Sequence, residues 1–568
     1  MKDIRKKFHK HLVIEIVLTL SIIILLWIVG SKAYFRVDLT TEKRFTISTE
    51  TKTVLRKLPD EIFIKVYLEG DLPAGFRKFR NSIKETLDEF RVYAVTNIQY
   101  EFINPAENPD TKIRNQLFAD LYNKGLRPTN IMIRDEEGGN SEKLLFPCAI
   151  ISYNGIELPV NLLKNNVGIS AEENLNNSIQ TLEYELIKPI YNLTARQFDK
   201  IAFIEGHGEL DSYQVEDITK ELANSFQVDR GAINGIPHCL DAYKAIVIAR
   251  PTKPFNEADK LVLDQYIMNG GKVLWLIDQV NVNPDSLAIG SSFAFVNDLN
   301  LDDLLFTYGV RINPSIVQDI QCNVVPVNTA VIGTQAKWTP MPWVYYPIIS
   351  PLVEHPVSRS LNMVLTKFPS NIDTVGNNGK IIKTSLLKTS PNTRLVTVPA
   401  LISLEEIRRK PTRNDMSSGN KDIAVLLEGE FPSGFRNRSA KAIIEAYPNQ
   451  AIKTSKATKM IVIADGDMIQ NDVRVTANGP ESSPLGYDKY TRQTFGNKDF
   501  ILNSVQYLTD EAGLMALRSK DFKLRLLDKQ RIRQEKTKWQ LTNTILPALL
   551  VILFGMYYNR RRKFIYNK

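Results

Sequence analysis

The sequence predicts an α/β protein in which two globular α/β domains are flanked by one N-terminal and one C-terminal transmembrane helix. Three observations lead to this prediction: two long apolar segments near the ends, short apolar runs of strand length, and helical patterns that separate those runs. The chain has 568 residues, of which 43% are apolar, so it can form more than one buried core.

The net charge of +9 is concentrated in the two terminal tails. Residues 1–11 contain five Lys or Arg and one Asp, and residues 559–568 contain five Lys or Arg and no acid. The residues between the tails are therefore neutral overall. This distribution argues against a nucleic-acid-binding surface and is typical of the basic flanks that orient membrane helices.

Residues 12–30, with the sequence LVIEIVLTLSIIILLWIVG, form the first predicted transmembrane helix. A helix of this length spans about 28 Å, close to the thickness of a bilayer core. A cleaved signal peptide has a similar basic start, but its apolar run is usually only about 7 to 15 residues long, and no A-x-A cleavage site follows here. We therefore expect an uncleaved anchor.

Residues 539–558 form the second predicted transmembrane helix, with Trp539, Tyr557 and Tyr558 as interfacial aromatic residues. Pro547 is tolerated within a membrane helix, and the basic residues 560–563 end the span. With two spans and two basic tails, we expect residues 1–11 and 559–568 in the cytoplasm and the body in the periplasm, anchored in the inner membrane.

Residues 516–538 form a basic segment directly before the second span. Residues 518–538 contain nine Lys or Arg against three Asp or Glu, which is unusual for the outer side of a membrane. Because long domains are translocated largely regardless of charge, the predicted orientation stands. Arg525, Arg531 and Arg533 are candidates for contacts with a partner or with lipid headgroups, and a solvated surface is the alternative.

Residues 31–168 form the first predicted α/β domain. Alternation of Ile62, Ile64, Val66 and Leu68 predicts a strand, and apolar residues at spacings of three and four from Phe76 to Phe90 predict a helix. A second strand and a second helix follow, and this helix ends at Gly125.

Residues 169–198 form a predicted linker helix. Ser170 and Glu173 have the spacing of a capping box, and Pro189 is expected to end the helix.

Residues 199–515 form the second predicted domain, with residues 323–421 as an insertion. Five short apolar runs separated by helical patterns predict a parallel, doubly wound sheet. These runs begin at Ile201, Ala245, Lys272, Ile423 and Lys459. The insertion is richer in Pro and aromatic residues and lacks the regular pattern.

The segment Gly206-His207-Gly208 follows the first of these strands and begins like a dinucleotide-binding loop. Asp211 replaces the third glycine of that motif, so an ordinary tight turn is the main alternative. The backbone amides at this turn could bind an anion, and His207 could act as a base or a ligand. A structural role for His207 is the alternative.

Asp278 and Asp465 follow two other predicted strands, at the edge where open α/β sheets bind ligands. Turn and cap roles explain these acids equally well. Trp338 and Trp343 belong to an aromatic cluster in the insertion that could stack on a sugar or hold a partner. Packing across a sheet edge is the alternative.

Several catalytic motifs are absent from the sequence. It contains no GxxxxGK[ST], GxSxG or HExxH string, and Cys148, Cys239 and Cys322 include no CxxC pair. The sequence therefore predicts no catalytic residue, no metal site and no cofactor. The odd number of cysteines favours buried, unpaired thiols, although one disulfide would be feasible in an oxidising compartment.

Strings spread over nearly the whole chain resemble the gliding-motility-associated ABC transporter auxiliary family of Bacteroidetes, the GldG family, whose members are also described as substrate-binding. These strings are VDLTTEKRFTIS, IAFIEGHGE, LDQYIMNGGKVLWLID, LLEGEFPSGF, IVIADGDMI and NKDFILNSVQYL. The resemblance implies an ABC transporter component that works with a separate permease and a separate ATPase. It also implies a second domain with a class I glutamine-amidotransferase-like fold, related to a domain of intraflagellar-transport scaffolds.

The leading hypothesis is a non-enzymatic membrane subunit whose periplasmic domains recruit or couple partners. The chain could also form a homo-oligomer within that complex. A ligand-binding component of the same transporter is the second hypothesis. A periplasmic hydrolase that uses His207 and Cys239 is the third.

Overall fold

The structure is a computed structural model. It describes residues 46–94, 97–134, 140–166, 169–194, 198–332, 335–352, 355–376, 379–409, 411–412, 414–437, 452–477, 479–519 and 529–566, together with residues 14, 16–25 and 27. Residues 1–520 and residues 521–568 form two separate compact units.

The N-terminal part of the first unit alternates strands and helices, as the sequence predicts. Its elements are α1 (Thr49–Arg56), β1 (Ile62–Val66), α2 (Ala74–Tyr93), β2 (Ile98–Phe102), α3 (Thr111–Asn123), β3 (Thr129–Arg134), β4 (Asn140–Leu145), β5 (Cys148–Tyr153), β6 (Ile156–Asn161) and α4 (Ala171–Thr194).

A four-stranded sheet of order β2-β1-β5-β6 organises this part. Strands β1 and β2 are parallel, whereas β5 is antiparallel to both β1 and β6. Helix α2 buries the predicted apolar face on this sheet, including Phe79, Ile83 and Leu87. Helix α3 ends before Gly125, which adopts the expected positive φ of 91°.

Helix α4 does not end at Pro189, and that prediction was wrong. The Ser170 hydroxyl accepts the Glu173 amide at 3.2 Å, as expected for a cap, but the helix continues through Pro189 to Thr194. Proline removes one backbone hydrogen bond. The fully buried side chains of Ile187 and Ile190, on either side of Pro189, hold the last turns against the core.

The second part of the first unit contains the remaining helices and strands of the body. Its elements are β7 (Lys200–Glu205), α5 (Glu216–Ala223), β8 (Gln227–Ala232), β9 (Ala245–Ala249), α6 (Glu257–Met268), β10 (Lys272–Leu276), β11 (Val280–Val282), α7 (Pro284–Ala288), β12 (Ser291–Val296), α8 (Asp302–Tyr308), β13 (Val310–Ile312), β14 (Ser315–Asp319), β15 (Cys322–Ile332), β16 (Gln335–Ile349), β17 (Val364–Leu365), β18 (Ile372–Thr374), β19 (Ile381–Lys388), β20 (Thr393–Thr397), β21 (Ala400–Ser403), β22 (Asp422–Gly429), β23 (Thr458–Ile463), β24 (Val473–Thr476), β25 (Gly479–Ser482), β26 (Tyr487–Asp488), β27 (Gln493–Thr494) and α9 (Asn497–Thr509).

A nine-stranded sheet forms the centre of this part. Strands β8, β7, β9, β10 and β23 lie next to one another and are all parallel. Strand β22 runs antiparallel to β23, so the predicted parallel direction was wrong for this strand. A short buried apolar run has the same pattern in either direction, which explains the error.

Helices cover both faces of the parallel strands. Alternate strand residues such as Ile248 and Trp275 face α6 and α8, whereas Val247 and Leu274 face α5 and α9. The α/β class is therefore confirmed, and the period-two alternation of the strands explains how two buried cores share one sheet.

Residues 323–421 are richer in strands than the sequence pattern indicates. Strands β15 and β16 form a long antiparallel hairpin, and β18 and β19 join the central sheet next to β22. Strands β12 and β21 pair in a separate small sheet.

The second unit contains helix α10 (Lys529–Tyr566), in which Pro547 is internal. Residues 535–564 of α10 are long and apolar enough to cross a membrane. Of the predicted first span, residues 12–30, the structure describes residues 14, 16–25 and 27, and residues 16–25 form a short apolar helix.

Candidate functional site

The carboxyl ends of the parallel strands form the edge where open α/β sheets usually bind ligands. Numbered along the chain, the five parallel strands have the spatial order 2-1-3-4-5. The direction of the connections reverses between β7 and β9. The loops that follow these two strands therefore lie at the topological switch point.

The Gly206-His207-Gly208 turn is joined to the loop after β9. The amides of Thr252 and Lys253 donate to the His207 carbonyl oxygen at 2.9 and 2.8 Å, and the Thr252 hydroxyl donates to the Gly208 carbonyl at 3.0 Å. Gly208 has a φ of 74°, and a Cβ there would lie 2.2 Å from the Thr252 hydroxyl oxygen. These hydrogen bonds join the loops that follow β7 and β9 and close the crevice between them.

The anion-binding position at this turn is occupied by a side chain of the protein itself. The His207 amide donates to a carboxylate oxygen of Glu209 at 2.6 Å. Helix α5 begins only at Glu216, well after Gly208, so no helix N-terminus adjoins the turn. The turn therefore lacks the arrangement of a dinucleotide-binding loop.

The His207 side chain is buried between two carboxylates. Its Nδ1 lies 3.1 Å from Glu209 Oε1, its Nε2 lies 3.0 Å from Asp259 Oδ2, and its ring stacks on Phe255 with 3.7 Å between centroids. Burial lowers the pKa of His207, but the hydrogen bonds to the two acids outweigh it, so the pKa is raised above 6.5. An imidazolium with both nitrogens engaged does not serve as a general base.

Asp278 binds Arg250, which follows β9. Arg250 Nε donates to Asp278 Oδ2 at 2.9 Å, Arg250 Nη1 lies 3.0 Å from Asp467 Oδ1, and the Gly466 amide donates to Asp278 Oδ1 at 2.5 Å. Burial raises the pKa of Asp278 to about 7, with Asp467 adding to the effect and Arg250 opposing it. Arg250 has a φ of 56°, a strained conformation for a non-glycine residue.

Asp465 lies beside this cluster and is fully buried. One carboxylate oxygen accepts the Lys367 amide at 2.9 Å, whereas Oδ1 has no hydrogen-bond partner among the described residues. Burial raises the pKa of Asp465 well above its ordinary value, and the nearby Asp278 and Asp467 carboxylates add to the effect.

A small cavity of about 20 Å³ adjoins Arg250, Asp278 and Asp467, which is enough for one water molecule. Within the described part of the chain, no group of three His, Cys, Asp or Glu side chains is arranged to hold a metal ion. The cluster is an internally paired network with room for water.

Trp338 and Trp343 occupy different environments on the same strand, β16. Trp343 is 1% exposed, and its ring lies 4.8 Å from that of Tyr345. Trp338, nearer the hairpin tip, is 63% exposed. Tyr345 accepts the Phe368 amide through its carbonyl oxygen at 2.9 Å, and Phe368 lines the small cavity. The base of the hairpin is thereby packed close to the acidic cluster, whereas Trp338 is available at the surface.

Sequence reasoning did not identify Arg250, Glu209 or Asp259 as members of this edge. Arg250 carries a local signal, because it comes directly after a buried strand and before a proline. Asp259 lies in the first turn of α6, 52 positions from His207, and no sequence spacing indicates that contact.

The candidates in the basic segment fall at the boundary of the described residues. Arg525 lies outside them, and Arg531 and Arg533 lie in the first turns of α10. Arg518, at the start of the basic stretch, is buried in the body, and so is Leu517.

A second and larger cavity, of about 510 Å³, lies elsewhere in the body, and none of the predicted ligand-binding residues lines it.

Residues 199–504, more than half of the chain, match the model of a family described as an ABC-type uncharacterized transport system. Residues 41–152 match a domain of unknown function, DUF7088. The first match coincides with the central sheet and its helices, and the second with the four-stranded sheet.

A protein of Borreliella burgdorferi (strain ATCC 35210 / DSM 4680 / CIP 102532 / B31), named only as an uncharacterized protein, is 23% identical over 334 residues. The alignment covers 55% of this chain and 57% of that relative, so this chain spans little more than half of its length. A solved structure titled mmIFT52 N-terminal domain is 14% identical, with 55% of this chain and 97% of that chain covered and a TM-score of 0.31. This TM-score is too low to indicate a shared fold.

Proposed function

This chain belongs to the family described as an ABC-type uncharacterized transport system, and we propose that it acts there as a non-enzymatic, membrane-anchored subunit. In this proposal it pairs with a separate permease and a separate ATPase. The observation that carries the proposal is the family match over the whole central sheet, combined with a C-terminal helix long and apolar enough to span a bilayer.

The membrane arrangement is part of the proposal. Helix α10 is one span, residues 12–30 are the second, and the body between them lies in the periplasm with both basic tails in the cytoplasm. Support comes from the exposed apolar side chains along α10, including Leu549, Leu550 and Phe554, and from the basic residues 560–563 at its end. The positive-inside rule favours this orientation.

A non-enzymatic role is supported by the chemistry of the sheet edge. His207, the histidine best placed for catalysis, has both ring nitrogens engaged by carboxylates. Arg250 pairs with Asp278 and Asp467. Burial raises the pKa of Cys239, which disfavours the reactive thiolate. We infer that these groups stabilise the fold around the switch point. His207 and Cys239, the two residues on which the hydrolase hypothesis depends, are therefore poorly suited to catalysis.

We also propose that the transporter serves gliding motility. The support for this finer assignment is the resemblance of several strings, in order along the chain, to the gliding-motility-associated auxiliary family. Loss of surface gliding after deletion of the gene, with recovery on complementation by the wild-type chain, is the expected result in a gliding host. Normal gliding of the deletion strain would contradict this assignment.

Affinity purification of the full-length chain from membranes of its native host tests the subunit proposal. Extraction in a mild detergent followed by mass spectrometry of the eluate is expected to identify a permease and an ATPase in stoichiometric amounts. A matched chain that ends before Lys529 separates the contribution of α10 from that of the body. Recovery of the full-length chain alone, from cells shown to express a permease and an ATPase of this family, would contradict the proposal.

A ligand-binding role within the same transporter is a second candidate function. The observation that favours it is the cavity of about 510 Å³ in the body. This volume lies in the range of small-molecule binding sites.

A further inference from the structure

The larger cavity is a cleft between the two parts of the first unit. One wall consists of the end of β6 with the loop that follows it, within residues 158–166, and of helix α4. The opposite wall consists of residues 360–362 and 494–496, helix α9 and the 3₁₀ helix Leu514–Ser519. A small molecule in this cleft would contact both parts of the unit at once.

Side chains from the two walls are joined directly at the edges of the cleft. The Tyr184 hydroxyl of α4 donates to Gln506 Oε1 of α9 at 2.7 Å, and Asn192 Nδ2 donates to the Ser225 hydroxyl at 2.7 Å. All four side chains line the cleft. Amide and hydroxyl groups that already hold the walls together are placed to bind hydroxyl groups of a ligand as well.

Arg518 is the most unusual residue of this cleft. It is 5% exposed, Nη1 donates to Asn503 Oδ1, and Nη2 donates to the Arg359 carbonyl oxygen at 3.1 Å. Its Nε is buried and has no acceptor among the described residues. A buried guanidinium held only by neutral acceptors, with a donor left over, is costly unless an anion completes it.

The surroundings of Arg518 do not supply that anion. Its guanidinium carbon lies 5.4 Å from the centre of the Tyr184 ring, a cation–π contact, and it forms no ion pair with a carboxylate of the described residues. Asp510, a nearby acid, accepts the amides of Leu514 and Met515 at 3.1 and 2.7 Å. The Nε–H of Arg518 therefore has no acceptor among the described residues.

Cations outnumber acids along the whole cleft. Its lining contains five basic side chains against three acidic ones: Arg127, Lys164, Lys188, Lys498 and Arg518 against Glu185, Glu221 and Asp499. Lys164 pairs with Glu185 at 2.8 Å, and Lys498 pairs with Asp217, which lies outside the lining, at 2.6 Å. Burial lowers the pKa of Lys188, which has no ion pair within the described part of the chain. An anionic ligand would relieve the excess positive charge of Lys188 and Arg518.

We propose that the cleft binds a small hydroxylated carboxylate, of the sugar-acid class, with its carboxylate on Arg518 and its hydroxyl groups on the amide and hydroxyl side chains of the two walls. The carboxylate accepts the Nε–H of Arg518, and Lys188 adds a second positive charge. This site goes beyond the proposed subunit function, since a partner complex could form with the cleft empty.

Isothermal titration calorimetry on the full-length chain in detergent tests the proposal with four probes: D-glucuronate, D-gluconate, D-glucose and inorganic phosphate. Binding of at least one of the two sugar acids is expected, with D-glucose and phosphate at least about tenfold weaker, because each lacks one of the two features that the cleft recognises. Absence of binding by both sugar acids would overturn the proposal. Equal affinity for D-glucose would contradict binding of the ligand carboxylate by Arg518. Equal affinity for phosphate would contradict recognition of the ligand hydroxyl groups by the amide and hydroxyl side chains.

Variants then place the binding in this cleft. Arg518→Gln is expected to weaken binding at least about tenfold, and Lys188→Gln to weaken it by a smaller factor. Arg311→Gln is the matched control, because Arg311 is exposed and pairs with Asp373 at 2.8 Å on the far side of the central sheet. If Arg518→Gln does not fold, the Lys188→Gln result decides. Unchanged affinity in every folded cleft variant would overturn the assignment, whatever the outcome of partner purification.

Discussion

His207 is held between two carboxylates, and this position makes the stability of the body depend on pH. Because the pKa of His207 is raised in the folded protein, its charged form stabilises the fold fully below the unfolded pKa of about 6.5. That stabilisation is lost as the pH rises through the folded pKa. The sign is the opposite of that for a carboxylate with a lowered pKa.

We predict that His207→Gln lowers the free energy of unfolding by about 2 to 3 kcal/mol near pH 6, because two hydrogen bonds to charged groups are lost. The difference from the wild type should shrink as the pH is raised. Urea denaturation at several pH values measures it, and His238→Asn is the control, because His238 pairs with Asp241 in an exposed position. A difference between wild type and His207→Gln that grows with pH would contradict the account.

At this scale the sequence predicted positions but not partners. It placed Gly206, His207, Asp278 and Asp465 at strand ends, and the structure brings these residues to one edge of the sheet. It did not predict that Asp259 pairs with His207 or that Arg250 pairs with Asp278. Ion pairs between residues that are far apart in the sequence depend on how helices pack on the sheet. A single sequence contains no periodic pattern that indicates such contacts.

Strand β16 of the long hairpin contains one buried tryptophan, Trp343, and one exposed tryptophan, Trp338, and the two variants separate a packing role from a surface role. We predict that Trp343→Ala lowers the free energy of unfolding by about 3 to 5 kcal/mol, because it leaves a cavity in a packed cluster. Trp338→Ala should change it by less than about 0.5 kcal/mol. Urea denaturation of both variants measures the contrast, and equal losses would show that the outer part of the hairpin is packed as well.

The 3₁₀ helix Leu514–Ser519 connects the end of the second part to the core of the first part. Leu514, Met515 and Leu517 are buried among residues of α2 and α4. We predict that Leu514→Ala lowers the free energy of unfolding by about 2 to 5 kcal/mol and speeds hydrogen exchange in α2, which lies far away along the chain. Exposed Leu401 supplies the control variant Leu401→Ala. Unchanged exchange in α2 would show that the two parts are stabilised independently.

Elements with long periodic patterns were the most predictable ones. Helix α2 and strands β7, β9, β10 and β23 match their predictions, because burial of one or two faces imposes a regular apolar pattern on each. The direction of β22 and the continuation of α4 through Pro189 were not predictable. The direction of β22 is set by its neighbours in the sheet, because its apolar pattern is the same in either direction. Helix α4 continues past Pro189 because its last turns are buried against the core.

At the scale of the whole molecule, the chain combines a body built on two sheets with a separate helix able to span a membrane. The sequence predicted this helix from its apolar length and flanking charges, and the structure confirms it over residues 535–564. The predicted anchor at residues 12–30 stays a prediction. So does the boundary between the two predicted domains, since the body of the chain forms a single compact unit.

The chain belongs to a transport-system family. The function proposed above, a periplasmic body held beside a permease by membrane helices, joins this membership with the helix that is able to span a membrane. In this account α10 has one face toward lipid and another toward the permease. A helix that only anchors the chain would have lipid on all faces.

Site-specific photo-crosslinking from α10 in living cells of the native host tests this claim most directly. A photoreactive residue is placed in turn at positions 545 to 554, which cover all faces of the helix. Adducts with an ABC permease at positions spaced three or four residues apart are the predicted result. Full-length chain in the membrane that gives no permease adduct at any of these positions would contradict the account.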